Sequence, residues 1–221
     1  MEPLWHPSPN CGPRRDGLKP SIVVLHYTAM ASAEAALKRL CLPEAEVSAH
    51  YLIGADGTTW QMVREEDRAW HAGAGEWRGL MDINSRSIGI ELDNTGTTPF
   101  AEPQMAALEE LLPAILTRWD ISSENVIGHS DMAPGRKIDP GPRFDWRRIA
   151  RQGLAKRGGC DDGPGDPSKQ TFRAIARDAG YTADVDDETL LTAVRLRYRP
   201  HATGPLESQD YTPLGPSALW T

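Results

Sequence analysis

The chain has no excess of positive charge, few cysteines and no long apolar run. Its formal net charge is −7, and Asp plus Glu outnumber Lys plus Arg both before and after residue 155. That balance argues against a nucleic acid or an anionic membrane as partner. The three cysteines, Cys11, Cys41 and Cys160, are an odd number without Cys-x-x-Cys spacing. They suit a reducing compartment better than a disulfide framework. The first ten residues, Met1 to Asn10, have neither a basic n-region nor an apolar h-region, and no apolar stretch of membrane-spanning length follows. The chain therefore reads as cytoplasmic, although an exported, periplasmic protein whose leader had been removed would present the same start. What is present fits an ordinary globular protein, with 39% hydrophobic and 25% charged residues. At 221 residues it can build one full core of about 150 residues, with a remainder too short for a second large one.

The densest chemistry lies in Ile127-Gly-His-Ser-Asp-Met-Ala-Pro-Gly-Arg-Lys-Ile-Asp-Pro140. Asn125 to Gly128 is a short β-favouring run that ends at His129. Pro134-Gly135 then reverses the chain, and Asp139 returns two residues after Lys137. A ring nitrogen and a carboxylate oxygen on the two arms of a stiff loop can share one Zn²⁺. Two ligands do not make a site, so a third must come from elsewhere.

The remaining pattern predicts an α/β fold. Ser21 to Leu25 is a continuous apolar run, as in a strand buried on both faces, and it ends at His26. Ala31 to Cys41 has helix composition. Val47 to Ile53 and Thr58 to Val63 flank Ala55-Asp56-Gly57, a hairpin signal. Ser87 to Leu92 is a further strand. Met105, Leu108, Leu112, Ile115 and Trp119 recur at helical spacing, so 102–119 reads as an amphipathic helix kinked at Pro113. Asp145 caps a helix over 146–154. This order predicts a mixed central sheet flanked by helices.

Six histidines are candidates for the remaining ligand. His6 and His201 lie in Pro-containing segments, which leaves His26, His50 and His71 to join His129. His26 closes a buried strand, where side chains of parallel strands gather at a cleft.

Several motifs in order resemble one known family. They are Val24-Leu-His-Tyr-Thr-Ala29, Val47-Ser-Ala-His-Tyr-Leu-Ile53, Ala69-Trp-His-Ala-Gly73, Ser87-Ile-Gly-Ile-Glu91 and Gly128-His-Ser-Asp131 with Lys137-Ile-Asp-Pro-Gly-Pro142. Together they look like the zinc-dependent N-acetylmuramoyl-L-alanine amidases of the AmpD-type (type 2) family, over roughly residues 3–153. The resemblance implies the amidase and peptidoglycan-recognition fold. It implies one Zn²⁺ held by His26, His129 and Asp139, with Glu91 as catalytic carboxylate and Lys137 stabilising the charge that develops. It also implies peptidoglycan fragments (muropeptides) as partners and places His50, Trp70, His71, Asn84 and Arg86 beside the substrate. Some members of the wider superfamily carry a catalytic tyrosine where this chain has Ala49, which leaves the acid and base duty to Glu91.

The chemistry of the residues agrees with these roles. Three protein ligands leave one position open, the pattern of a catalytic zinc site; a structural one is closed by four. Glu91 ends an otherwise apolar strand, where a carboxylate is costly without a purpose. Plainer readings stand beside these. Glu91 could pair with an arginine, Lys137 could be a solvated loop residue, His50 a satisfied core histidine, and His71 a pin for its loop.

The activity so implied is hydrolysis of the amide between N-acetylmuramic acid and L-alanine of the stem peptide. The missing export signal favours a recycled fragment carrying the 1,6-anhydro sugar. The alternatives are an exported wall-degrading amidase and a non-catalytic peptidoglycan-binding module; the latter normally lacks a zinc ligand. An Fe(II) oxygenase would also use two histidines and a carboxylate, but its His-x-Asp pair is tight, whereas His129 and Asp139 are ten residues apart.

Domains are expected at 1–155 (the catalytic domain), 156–168 (a linker rich in Gly, Asp and Pro) and 169–221 (a small helical appendage). Phe172, Ile175 and Ala176 share a helical face. Leu190, Leu191, Val194 and Leu196 mark a second helix after the Asp186-Asp187 cap. The pair weakly resembles a three-helix peptidoglycan-binding domain, but Pro213, Gly215 and Pro216 would break its third helix.

Overall fold

The computed structural model describes residues 2–159 and 167–215. Its strands are β1 (Leu4–Trp5), β2 (Cys11–Pro13), β3 (Ile22–Tyr27), β4 (Tyr51–Ile53), β5 (Thr59–Gln61), β6 (Asp67–Ala69), β7 (Ser87–Leu92) and β8 (Val126–Gly128). Its helices are α1 (Ala33–Leu40), α2 (Ile83–Arg86), α3 (Glu102–Trp119), α4 (His129–Met132), α5 (Trp146–Arg151), α6 (Lys169–Ala179) and α7 (Asp187–Tyr198). The central sheet has six strands in the order β1-β5-β4-β7-β3-β8, and β2 pairs with β6 apart from it. Strands β4, β7, β3 and β8 run parallel, while β5 runs antiparallel to β4, so the sheet is mixed as expected.

The period of two along each strand divides the core. Val23, Leu25, Ile88, Ile90 and Leu92 face α3 and α5, meeting Met105, Leu108, Leu112, Ile115 and Ile149. Ile22, Val24 and Ile127 face the other way, against Phe172, Ala176, Leu190 and Val194 of α6 and α7. The helices that the sequence marks as an appendage thus cover one face of the sheet. Strand β3 is buried on both faces because it lies between two hydrophobic layers.

Local signals explain most boundaries. Ser32 caps α1 by accepting from the Ala35 amide, Asp145 caps α5 through Arg148, and Asp186 caps α7 through Thr189. Helix α3 runs unbroken through Pro113. The strand expected over 47–53 is confined to Tyr51–Ile53, because Ser48 bonds to the Trp70 carbonyl instead of a neighbouring strand. In place of a third C-terminal helix there are two short 3-10 turns, Ser208–Asp210 and Thr212–Leu214. Residues 160–166 of the expected linker, with Cys160, and Pro216 lie outside the described residues. Cys11 and Cys41 are free thiols. Among the described residues no helix is long and apolar enough to cross a membrane.

The β4–β5 hairpin turns at Asp56-Gly57, where Asp56 accepts from the Thr58 amide at 2.9 Å and Gly57 has φ of 87°. A Cβ there would stand 2.9 Å from the Pro103 carbonyl oxygen. Gly57→Ala is expected to lower the unfolding free energy by about 1–3 kcal/mol, read from the denaturant midpoint.

Candidate metal centre and cleft

The parity that divides the core also builds the site. In β3, His26 follows Ile22 and Val24 on one face; in β7, Ser87, Gly89 and Glu91 occupy the positions between the residues packed against α3. His26 and Glu91 are register partners, so they stand side by side at the C-terminal ends of adjacent parallel strands. Strand β8 ends at the same edge and passes directly into α4, whose first residue is His129. Ligands gather at such edges in open parallel sheets.

The loop after α4 returns Asp139 to this point. Ala133 and Lys137 bond backward along it, to the carbonyls of His129 and Ala133, and the Ser130 amide donates to the Asp139 carbonyl at 2.9 Å. His26 Nδ1, His129 Nδ1 and Asp139 Oδ2 then form a triangle with edges of 3.0, 2.8 and 3.0 Å. All three residues are buried, and they are the one group of potential metal ligands among the described residues.

The protons decide whether this triangle fits a cation. His129 Nε2 lies 2.9 Å from the Ala72 carbonyl oxygen, which can only accept, so Nε2 carries a proton, and the tautomer with its single proton there turns an Nδ1 lone pair inward. Burial, and then the neighbouring His129, push the His26 imidazole down to about 4. Burial would raise the Asp139 carboxyl, but the two imidazoles outweigh it and hold that group well below the usual carboxylate range. One carboxylate and two imidazole nitrogens therefore converge at contact distance with at most one proton among them. This is a donor set for a borderline divalent ion, and zinc with N and O ligands suits it.

The half-buried Glu91 is the other acid lining this cleft. Its Oε2 is buried without a hydrogen-bond partner. Burial, reinforced by the Asp139 carboxylate and opposed by Lys137, pushes the group up to about 8. A carboxyl so displaced can hold a proton near neutral pH and give it up, which makes Glu91 a candidate for proton transfer. Glu91, Lys137, Trp70 and His71 all line one cleft of about 550 Å³ together with the triad. Lys137 is exposed at its rim.

Three expected substrate contacts lie outside this cleft. His50 is fully buried; its Nδ1 accepts from the Gly89 amide at 3.0 Å and its Nε2 donates to the Asp67 carbonyl at 3.1 Å. Burial, with the Arg14 guanidinium adding, pushes it down to about 3. It is the satisfied core histidine of the plainer reading. The buried Asn84 amide oxygen accepts from the His71 and Ala72 amides at 3.0 and 2.8 Å, shaping the loop behind the cleft. Arg86 donates to the Met81 carbonyl at the opposite end of β7, about 16 Å along the strand from Glu91.

Other residues that shape the site were not legible as such. Arg136 ties the ligand loop to the Ala72 and Ala74 carbonyls. Arg14 donates to the backbone of Glu65, Asn84 and Ser87. Met30 and Arg39 line the cleft. Arg136 stands beside Lys137 in sequence, but no pattern marks Arg14, which acts across 51 to 73 residues of chain.

The chain is similar to proteins of known activity. The family model described as N-acetylmuramoyl-L-alanine amidase matches residues 16–142. N-acetylmuramoyl-L-alanine amidase AmiD of Escherichia coli is 41% identical over 149 residues, 60% of this chain; the chain spans only 53% of that relative. The 1,6-anhydro-N-acetylmuramyl-L-alanine amidase AmpD of Enterobacter cloacae is 36% identical over 160 residues, covering 65% of this chain and 86% of AmpD. AmiD of E. coli in complex with anhydro-N-acetylmuramic acid-L-Ala-D-gamma-Glu-L-Lys superposes with a TM-score of 0.79 at 30% identity, covering 95% of this chain and 90% of that one. AmpDH3 of Pseudomonas aeruginosa with anhydromuramic pentapeptide gives 0.81 at 33% identity, covering 90% and 91%.

Proposed function

The chain belongs to the N-acetylmuramoyl-L-alanine amidase family that its residues 16–142 match, and from that membership we propose that it hydrolyses the amide joining N-acetylmuramic acid to L-alanine of peptidoglycan stem peptides. The observation that carries the reading is the inward triangle of His26, His129 and Asp139 beside the unpartnered carboxyl of Glu91. One zinc ion would be held by those three side chains. When bound, it supplies Lewis acidity, polarising a carbonyl and making water acidic near neutral pH. Glu91 takes a proton from the attacking water and delivers it to the departing amine of L-alanine. Lys137, at the rim, offers its ammonium to the oxyanion that develops on the scissile carbonyl. Trp70 and His71 wall the cleft in which the sugar-linked peptide lies.

The favoured substrate is a soluble fragment carrying the 1,6-anhydro sugar, released in cell-wall recycling. The names of the AmpD relatives and the ligands of the AmiD and AmpDH3 structures support it. The complete ligand set and the unpartnered glutamate weigh against a non-catalytic binding module. Residues 1–155 are read as the catalytic domain, 156–168 as the linker and 169–221 as a small helical region resembling a degenerate peptidoglycan-binding domain.

The test is incubation of the purified chain with an anhydromuropeptide and, separately, with intact sacculi. Mass spectrometry is expected to show stem peptide with a free L-alanine amine released from the soluble fragment. Release from sacculi alone would move the assignment to wall degradation, and release from neither would overturn it.

A further inference from the structure

His71 is neither a ligand of the triangle nor free to hold substrate, because both of its ring nitrogens are taken. Its Nδ1 lies 3.0 Å from His26 Nε2 and its Nε2 lies 3.1 Å from Ser87 Oγ. Ser87 Oγ in turn lies 2.6 Å from the Ile83 carbonyl oxygen. A carbonyl only accepts, so the single hydroxyl proton of Ser87 points there and Ser87 meets His71 as an acceptor. The His71 proton is therefore on Nε2, and Nδ1 carries a lone pair. His26 Nε2 must then be the donor to His71, and the Nδ1 of His26 is left with a lone pair facing His129 and Asp139. The last undetermined proton is thereby removed from the triangle.

We propose that Ser87 and His71 form a positioning relay that locks His26 in the tautomer and orientation needed to bind the metal, so that zinc affinity depends on two residues that do not touch the ion. The relay rests on the zinc reading above. Its parts are held from several directions. Asn84 fixes the backbone at His71 and Ala72. The His71 ring lies so close to β7 that a Cβ on Gly89 would stand 2.5 Å from it. Glycine in the middle of this strand, unusual on propensity grounds, makes the room. Outer hydrogen bonds of this kind commonly set ligand orientation and basicity at zinc sites.

Zinc dissociation constants of the full chain, measured by competition with a chromophoric chelator, test the relay. His71→Ala is expected to weaken zinc binding by about 10- to 100-fold. His71→Asn keeps an acceptor near the place of Nδ1 and should recover most of that loss. Ser87→Ala should weaken binding while leaving the melting temperature of the metal-free protein close to wild type. ¹⁵N NMR of the metal-free wild type should show His26 protonated on Nε2. Equal affinity in wild type and His71→Ala, equal losses in the Ala and Asn variants, or His26 protonated on Nδ1 would each overturn the relay. Should His71→Ala fail to fold, Ser87→Ala and the NMR measurement decide the matter. A wild-type chain that binds no stoichiometric zinc would instead sink the metal reading itself, with the tautomer of His26 still measurable.

Discussion

Glu91→Gln is expected to retain one equivalent of zinc and to lose turnover by about 10²- to 10⁴-fold, the range typical of a positioned general base. The substitution keeps the shape of the side chain and removes only its ability to take a proton. Nothing in the fold relies on that ability, since Oε2 has no hydrogen-bond partner. The carboxyl is pushed up to about 8 by burial, with Asp139 adding. A positive charge among His26, His129 and Asp139 would draw it back down, because an adjacent cation favours the ionised form. Loading the site and ionising the base are thus coupled. His129→Ala and prior chelation are expected to abolish both zinc content and activity, which separates the residue that moves protons from those that hold the ion. Zinc by atomic absorption and stem-peptide release by mass read the two quantities independently. Full turnover in Glu91→Gln would remove the base assignment while leaving the centre intact.

The parts of this site that sequence reveals are those whose role is set by local chemistry. His129, Lys137 and Asp139 sit in one loop with Pro134-Gly135 at its turn, and His26 and Glu91 each end an apolar run. Their partnership appears from pattern because strand ends in a parallel sheet converge. Asn84 and Arg86 share a helical turn with only one residue between them. Even so, one pins the loop behind the cleft and the other bonds away at the far end of β7. His50 and His71 sit in equally suggestive motifs, and only tertiary distances separate the sealed core residue from the one touching His26. The position of α6 and α7 was hidden for a different reason. Amphipathic helices announce that one face is buried, but not against what. Here it is Ile22, Val24 and Ile127 of the sheet, so the layer behind the metal centre comes from the end of the chain.

That layer is fastened to the sheet at Asp131 among other contacts, and cutting it there should be costly. Asp131, two residues after His129 and fully buried, accepts from the Gly128 amide at 2.8 Å, the Tyr181 hydroxyl at 2.6 Å and the Arg197 guanidinium at 2.6 Å. Arg197 also donates to the Val126 carbonyl at 3.1 Å and lies over the Trp146 ring at 4.0 Å. One ion pair therefore joins α7 to both ends of the β8–α4 junction that carries His129. Removing one member strands the other as a buried charge, which typically costs 3–5 kcal/mol, more than the pair itself gains over an apolar replacement. Arg197→Met is expected to lose about that much, roughly 6–20 °C in melting temperature for a chain of this size. Asp131→Asn combined with Arg197→Met should recover part of the loss, because no unpaired charge then remains. The comparison of single and double variants by denaturant unfolding separates the two terms. Since the junction places His129, the single variant should also bind zinc more weakly than wild type at temperatures where both are folded. An Arg197→Met protein as stable as wild type would mean that α7 leans on the sheet through its apolar face alone, and that His129 is held by the Ala72 carbonyl and its own loop.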